Sequence, residues 1–138
     1  MRSTPVGTVD VRVLLTAGPT AAVAGHLAEE IVFDSPVARY RGRDDVAHLL
    51  SLIARCVEDV RPAHGFTDDG RSVGEFTATV DGQPLNGVLI QQLDGAGLIG
   101  ELTLFIRPLT TLRRAVEKMR SSLAESPLPS TRASGHPS

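Results

Sequence analysis

Between Leu85 and Pro108 the chain holds two apolar runs, Leu85 to Leu93 and Leu98 to Arg107, separated only by Asp94-Gly95-Ala96-Gly97. Apolar runs of strand length around a short Asp/Gly turn specify an antiparallel hairpin. In the second run Glu101 and Thr103 share one side while Leu102, Leu104 and Ile106 share the other, the period-two pattern of a strand with one buried face. Both runs exceed the roughly five or six residues of an ordinary strand. Long strands curve, and a curved sheet encloses space on its concave side. Fold and ligand site are therefore expected to share this hairpin.

The same stretch spells a dinucleotide-binding fingerprint in Gly95-Ala96-Gly97-Leu98-Ile99-Gly100. That chemistry needs a strand before the glycines and a helix after them, so that pyrophosphate rests on a helix N-terminus. Here a second strand follows. The glycines are read as a hairpin turn, and no cofactor is expected.

Upstream, Met1 to Gly7 reads as a frayed leader, and Thr8 to Ala17 fits either a strand, by its β-branched content, or a helix, by the Val9 to Val13 spacing. Gly18-Pro19 breaks the chain, and a helix is expected from Thr20 to Glu30, burying Val23, Leu27 and Ile31. His26 and Glu30, spaced i, i+4 on it, lack a third ligand and are read as a surface pair, with no metal site. Ile31 to Val37 is a short strand halted at Pro36. After Gly42 the positions Val46, Leu49, Leu50, Ile53 and Val57 follow a helical repeat, with Asp44 or Asp45 available to cap.

A polar strand from Val57 to Thr67, carrying Pro62, His64 and Phe66, leads through Asp68-Asp69-Gly70 into a strand from Arg71 to Val80. Asp81-Gly82 turns the chain into the long hairpin. Beyond Pro108 a last helix, capped by Thr110 or Thr111, carries the stripe Leu112, Val116, Met119 and Leu123, with Arg113, Lys118 and Arg120 facing water. One domain over residues 8–123 is expected, and a disordered Pro/Ser-rich tail over 124–138.

A net charge of -2, with both signs interspersed, leaves no basic patch for nucleic acid. No apolar run approaches membrane-spanning length and no secretory leader is evident, so a cytoplasmic protein without membrane attachment is expected. The single cysteine, Cys56, falls on the apolar side of its helix and is read as a buried thiol.

The order of elements, with Val32-Phe33-Asp34-Ser35-Pro36-Val37, Gly42-Arg43-Asp44-Asp45-Val46 and Ile99-Gly100-Glu101-Leu102-Thr103, resembles the nuclear transport factor 2-like superfamily, most closely its SnoaL-like branch. The resemblance covers residues 20 to 112. It implies an α+β fold: a cone-shaped, curved antiparallel sheet packed on N-terminal helices, with a C-terminal helix. Its members act as isomerases, cyclases or epoxide hydrolases inside the cone, or only bind and dimerise.

Against the ketosteroid isomerase pattern, which places a general-base aspartate just before a proline, this chain has Ser35 before Pro36 and Asp34 one position earlier; the later strand reads Gly87-Val88-Leu89-Ile90 where relatives carry an acid. The limonene epoxide hydrolase set would fall on Glu75, Thr77 and Leu104, so it too is missing. Asp34, Glu75 and His64 remain as candidate acid/base residues.

Two functions follow as expectations. In the first, Asp34 is the base, Glu75 or His64 shuttles or orients, and an apolar polyketide- or steroid-like substrate lies against Val32, Leu50, Thr77, Leu89, Leu102 and Leu104; a carboxyl in an apolar cone has its pKa raised toward neutrality. The second is a small-molecule-binding or dimerising module without catalysis, which the apolar Leu89 and Leu104 favour. An inward pair of carboxylates supports chemistry, and a cavity lacking them supports binding. Apolar residues on both faces of the same strands further predict a homodimer, with Glu101, Thr103 and Phe105 near the interface and the last helix across the edge of the cone or on the partner.

Overall fold

A computed structural model describes residues 11–15 and 20–134. The expected leader, the Gly18-Pro19 break and the last four residues lie outside them. Of the segment left open between helix and strand, Val11–Leu14 is helical (α1).

The elements that follow are α2 (Thr20–Ala24), β1 (Leu27–Asp34), β2 (Arg39–Arg41), α3 (Arg43–Cys56), β3 (Glu58–Asp68), β4 (Arg71–Val80), β5 (Gln83–Leu93), β6 (Ile99–Arg107), α4 (Leu109–Glu125) and α5 (Pro129–Ser134). The strands form a single curved sheet in the order β2-β1-β6-β5-β4-β3. Every neighbouring pair is antiparallel except β1 with β6, which run parallel, so the sheet is mixed.

The two Asp-Gly turns take the left-handed backbone that two-residue hairpins require, with φ of 50° and 80° at Asp69-Gly70 and 51° and 80° at Asp81-Gly82. In the third, Asp94 Oδ1 accepts hydrogen bonds from the amides of Ala96 and Leu98, and β6 rather than a helix follows. A phosphate cradle is therefore not built there.

Register decides which side chains enter the core. Ile31 and Phe33 of β1, Phe76, Ala78 and Val80 of β4, Leu85 and Leu89 of β5, and Leu102 and Leu104 of β6 point inward. Val46, Leu49 and Leu50 of α3 pack down on them. Alternation sends Val32, Asp34, Glu75, Thr77, Val88, Ile90, Glu101, Thr103 and Phe105 to the outer face.

The helix expected from Thr20 to Glu30 stops at Ala24, and Leu27 already belongs to β1. Leu27 and Ile31 face inward four residues apart, as positions i and i+4 of a strand do, while a register irregularity between Leu27 and Val32 leaves both Glu29 and Glu30 exposed between them. That spacing imitates a helix turn. His26 sits ahead of β1 in the turn, and the helical His26/Glu30 pair does not form.

The tail also departs from expectation. Ser126 to Ser130 lies on α3: His48 Nε2 is 2.7 Å from the Ser126 carbonyl oxygen, and Asp45 accepts from the Ser130 amide at 2.9 Å and from its hydroxyl at 2.6 Å. Asp45 thus serves α5 rather than the start of its own helix, and Leu128 packs on the core. Composition counted the tail's polar residues but not the partners that α3 offers them.

Candidate functional site

α4 closes the open side of the cone. Its stripe Leu112, Val116, Met119 and Leu123 faces α3, the β1–β2 turn and the end of β6, and between them remains a cavity of about 280 Å³. Leu49 and Ile53 of α3, Phe33 of β1, Tyr40 of β2 and Leu104 and Ile106 of β6 complete most of the wall. The hydrophobic repeat of α4 and the alternation of β6 supply these apolar surfaces to the same space.

α4 is held at several points. Thr111 Oγ1 donates to the Pro84 carbonyl at 2.9 Å, Lys118 Nζ donates to Asp81 Oδ1 at 2.8 Å, and Arg114 lies 3.6 Å from Asp81 Oδ2. The Ser126 contact with His48 fixes its far end.

Few polar groups reach the cavity. Ser35 lines it, but its hydroxyl is committed to the turn, donating to the Ala38 carbonyl and accepting from the amides of Val37 and Ala38. Cys56 lines it too, and burial pushes its thiol pKa up, so the sulfur stays protonated. Tyr40, whose ring lies 6.4 Å from that of Phe33, has a hydroxyl that bonds to no described residue. Among the described residues, Arg120 is the one charged side chain in the wall.

The acid/base candidates lie elsewhere. Asp34 projects from the outer face of β1, where Arg39 Nε donates to its Oδ1 at 2.7 Å. Glu75 and His64 face each other at 3.7 Å on the exposed β3–β4 edge, and His64 is 95% exposed. No carboxylate or imidazole lines the cavity among the described residues. The reason is register: Phe33 turns inward, so Asp34 must turn outward, and the residue that reaches the cavity just before Pro36 is Ser35.

Of the expected ligand contacts, Leu104 lines the cavity. Leu50 and Leu102 are core residues beside it, and Leu89 borders a separate groove along β3. Val32 and Thr77 sit on the outer face with Asp34 and Glu75. Tyr40, Ile53 and Arg120 were not foreseen as wall residues. The α4 stripe was the signal for Arg120, since it adjoins Met119 and lies one turn before Leu123.

An engineered 150 Å³ apolar cavity accepts benzene, so about 280 Å³ accommodates roughly ten to twelve carbon atoms. A tetracyclic steroid skeleton is larger than that. Among the described residues, no group of three His, Cys, Asp or Glu is arranged to hold a metal ion, and no helix is long and apolar enough to cross a membrane.

No family model matches the sequence, and no curated protein matches it. Solved structures do. A protein of cystatin-like fold from Silicibacter pomeroyi superposes with a TM-score of 0.79 at 22% identity, over 84% of this chain and 85% of that one. A steroid delta-isomerase from Pseudomonas aeruginosa gives 0.73 at 29% identity, over 77% and 80%. An NTF2-like protein of unknown function from Mesorhizobium loti gives 0.59 at 25% identity, over 64% and 78%.

Proposed function

We propose, for a chain that belongs by fold to the nuclear transport factor 2-like superfamily, that its cone holds a small apolar molecule without transforming it. The observation that carries this reading is the composition of the wall: Phe33, Ile53, Leu104, Val116 and Met119 enclose a cavity that Asp34, Glu75 and His64 do not reach. An apolar cavity with few polar groups is the usual form of a small-molecule site. Acid/base chemistry needs a proton acceptor within hydrogen-bond reach of the substrate. The likeness to a steroid delta-isomerase favours the isomerase reading, but in this chain the residue before Pro36 is a serine spent on its own turn.

Naphthalene binding, followed by calorimetry, tests the proposal. The wild type binds saturably, and Val116→Trp, which places an indole in the cavity, weakens binding at least tenfold with an unchanged circular dichroism spectrum. No saturable binding overturns it, as does turnover of an isomerase substrate that Asp34→Asn abolishes.

A second copy of the chain completes this reading. On the outer face Phe105 is 56% exposed and stands opposite Val88, with Ile90 beside them. Such a patch on a sheet with one covered face calls for a cover, and α4 does not provide it, since its apolar stripe is turned into the cavity.

A further inference from the structure

We propose that the ligand is a monocarboxylate with an apolar body of about ten carbon atoms, its carboxylate held at the mouth by Arg120; this rests on the cavity being a binding site. Three observations converge. The wall is apolar apart from Ser35, Tyr40, Cys56 and Arg120. The Ser35 hydroxyl is consumed by the turn, and Cys56 is a protonated thiol. What remains to meet a polar ligand group is the Tyr40 hydroxyl and the Arg120 guanidinium, both donors and neither engaged by a described residue.

Of the basic residues on α4, Arg113 and Arg120 have no acidic partner among the described residues, and of these two Arg120 lines the cavity. Arg114 and Lys118 both pair with Asp81. Arg120 has no acidic partner among the described residues, although it lies in the same helix two residues beyond Lys118. A planar guanidinium matches a carboxylate through two parallel hydrogen bonds. Among the described residues the wall holds a single cation, which matches a monoanion better than a phosphate dianion, and no carboxylate to receive an amine.

The size of the cavity sets the other limit. Bodies much longer than about ten to twelve carbons leave apolar surface in water, and shorter ones leave part of the cavity unfilled. Arg120 is exposed, so water screens its pairing. The expected preference for an anion over a neutral head is about fivefold, the upper range for exposed ion pairs.

Calorimetric titration with decanoate, 1-decanol and decylamine at neutral pH, below their aggregation concentrations, tests the assignment. Decanoate is expected to bind about fivefold tighter than 1-decanol. In Arg120→Gln that ratio falls to about one, and in Arg120→Glu decylamine becomes the preferred ligand. Across straight-chain carboxylates the affinity peaks near ten carbons. Equal binding of decanoate and 1-decanol, with a ratio insensitive to Arg120→Gln, overturns the carboxylate while leaving the cavity as a binding site. An affinity still rising at sixteen carbons overturns the size. Binding of none of the three overturns this inference and the cavity reading together.

Discussion

Asp34 and Arg39 face each other across the β1–β2 ladder, Arg39 Nε donating to Asp34 Oδ1 at 2.7 Å, on the side of the sheet away from the cavity. With the Arg39 side chain 59% and the Asp34 side chain 39% exposed, this is a surface ion pair. Asp34→Asn is therefore expected to cost less than about 1 kcal/mol in urea denaturation and to leave ligand affinity within twofold. A tenfold loss of binding would bring Asp34 back into the site.

Phe76 of β4 lies opposite Gly87 of β5, and its ring occupies the space where a Cβ at position 87 would stand. Both are buried. Gly87→Ala is expected to destabilise the fold by about 1–3 kcal/mol through overpacking. Adding Phe76→Leu should recover part of that loss, giving a coupling that a double-mutant cycle measures. Additive losses would mean that the ring has room to move.

Lys118, by its hydrogen bond and its charge, holds the Asp81 carboxyl below its ordinary 3.8, and Asp81 in turn raises Lys118 above its ordinary 10.5. A lowered carboxylate stabilises the fold fully above its unfolded value and loses that contribution as pH falls through the folded one. A raised amine does so fully below its unfolded value and loses it as pH rises through the folded one. The Tm advantage of wild type over Asp81→Asn should hold between pH 5 and 9, by about one unit of margin on either side, and shrink at both extremes. Asparagine tolerates the left-handed backbone at this position, which keeps the turn intact. A constant difference down to pH 2 would remove the ion pair as its cause.

For assembly, light scattering at micromolar concentration should give twice the 14.6 kDa chain mass, and Phe105→Glu should return it to the single-chain value. A wild-type mass near 14.6 kDa would leave the outer face uncovered. A variant that stays paired would move the contact away from Phe105.

The sheet was legible because its signals are local. Asp69-Gly70 and Asp81-Gly82 name their turns, and alternation along Ile99 to Arg107 names its buried face. The α4 stripe was equally plain, though not the cavity it closes, since a stripe says that a surface is covered and not how tightly. Asp34 was ambiguous for a different reason: alternation opposes it to Phe33 but assigns neither to the inside until β6 is laid beside β1. The start of β1 was misread because Leu27 and Ile31, four apart, share a face in strand and helix alike, and the adjacent Glu29 and Glu30 break the alternation that marks a strand. What the tail does depends on Asp45 and His48, residues some eighty positions earlier in the chain.

The one parallel pairing has a consequence for how the molecule is made. β3 to β6 are joined by tight turns and need only neighbouring segments to pair, whereas β1 pairs with β6, Val32 lying opposite Glu101. Closing so long a loop costs entropy before its contacts form. The edge of β1 that pairs with β6 is therefore expected to stay open during synthesis until β6 has emerged. The β1–β2 hairpin and the β3 to β6 meander are both local, so each is expected to form before β1 docks on β6, the step that brings Phe33 and Tyr40 to Leu104 and Ile106 in the cavity wall.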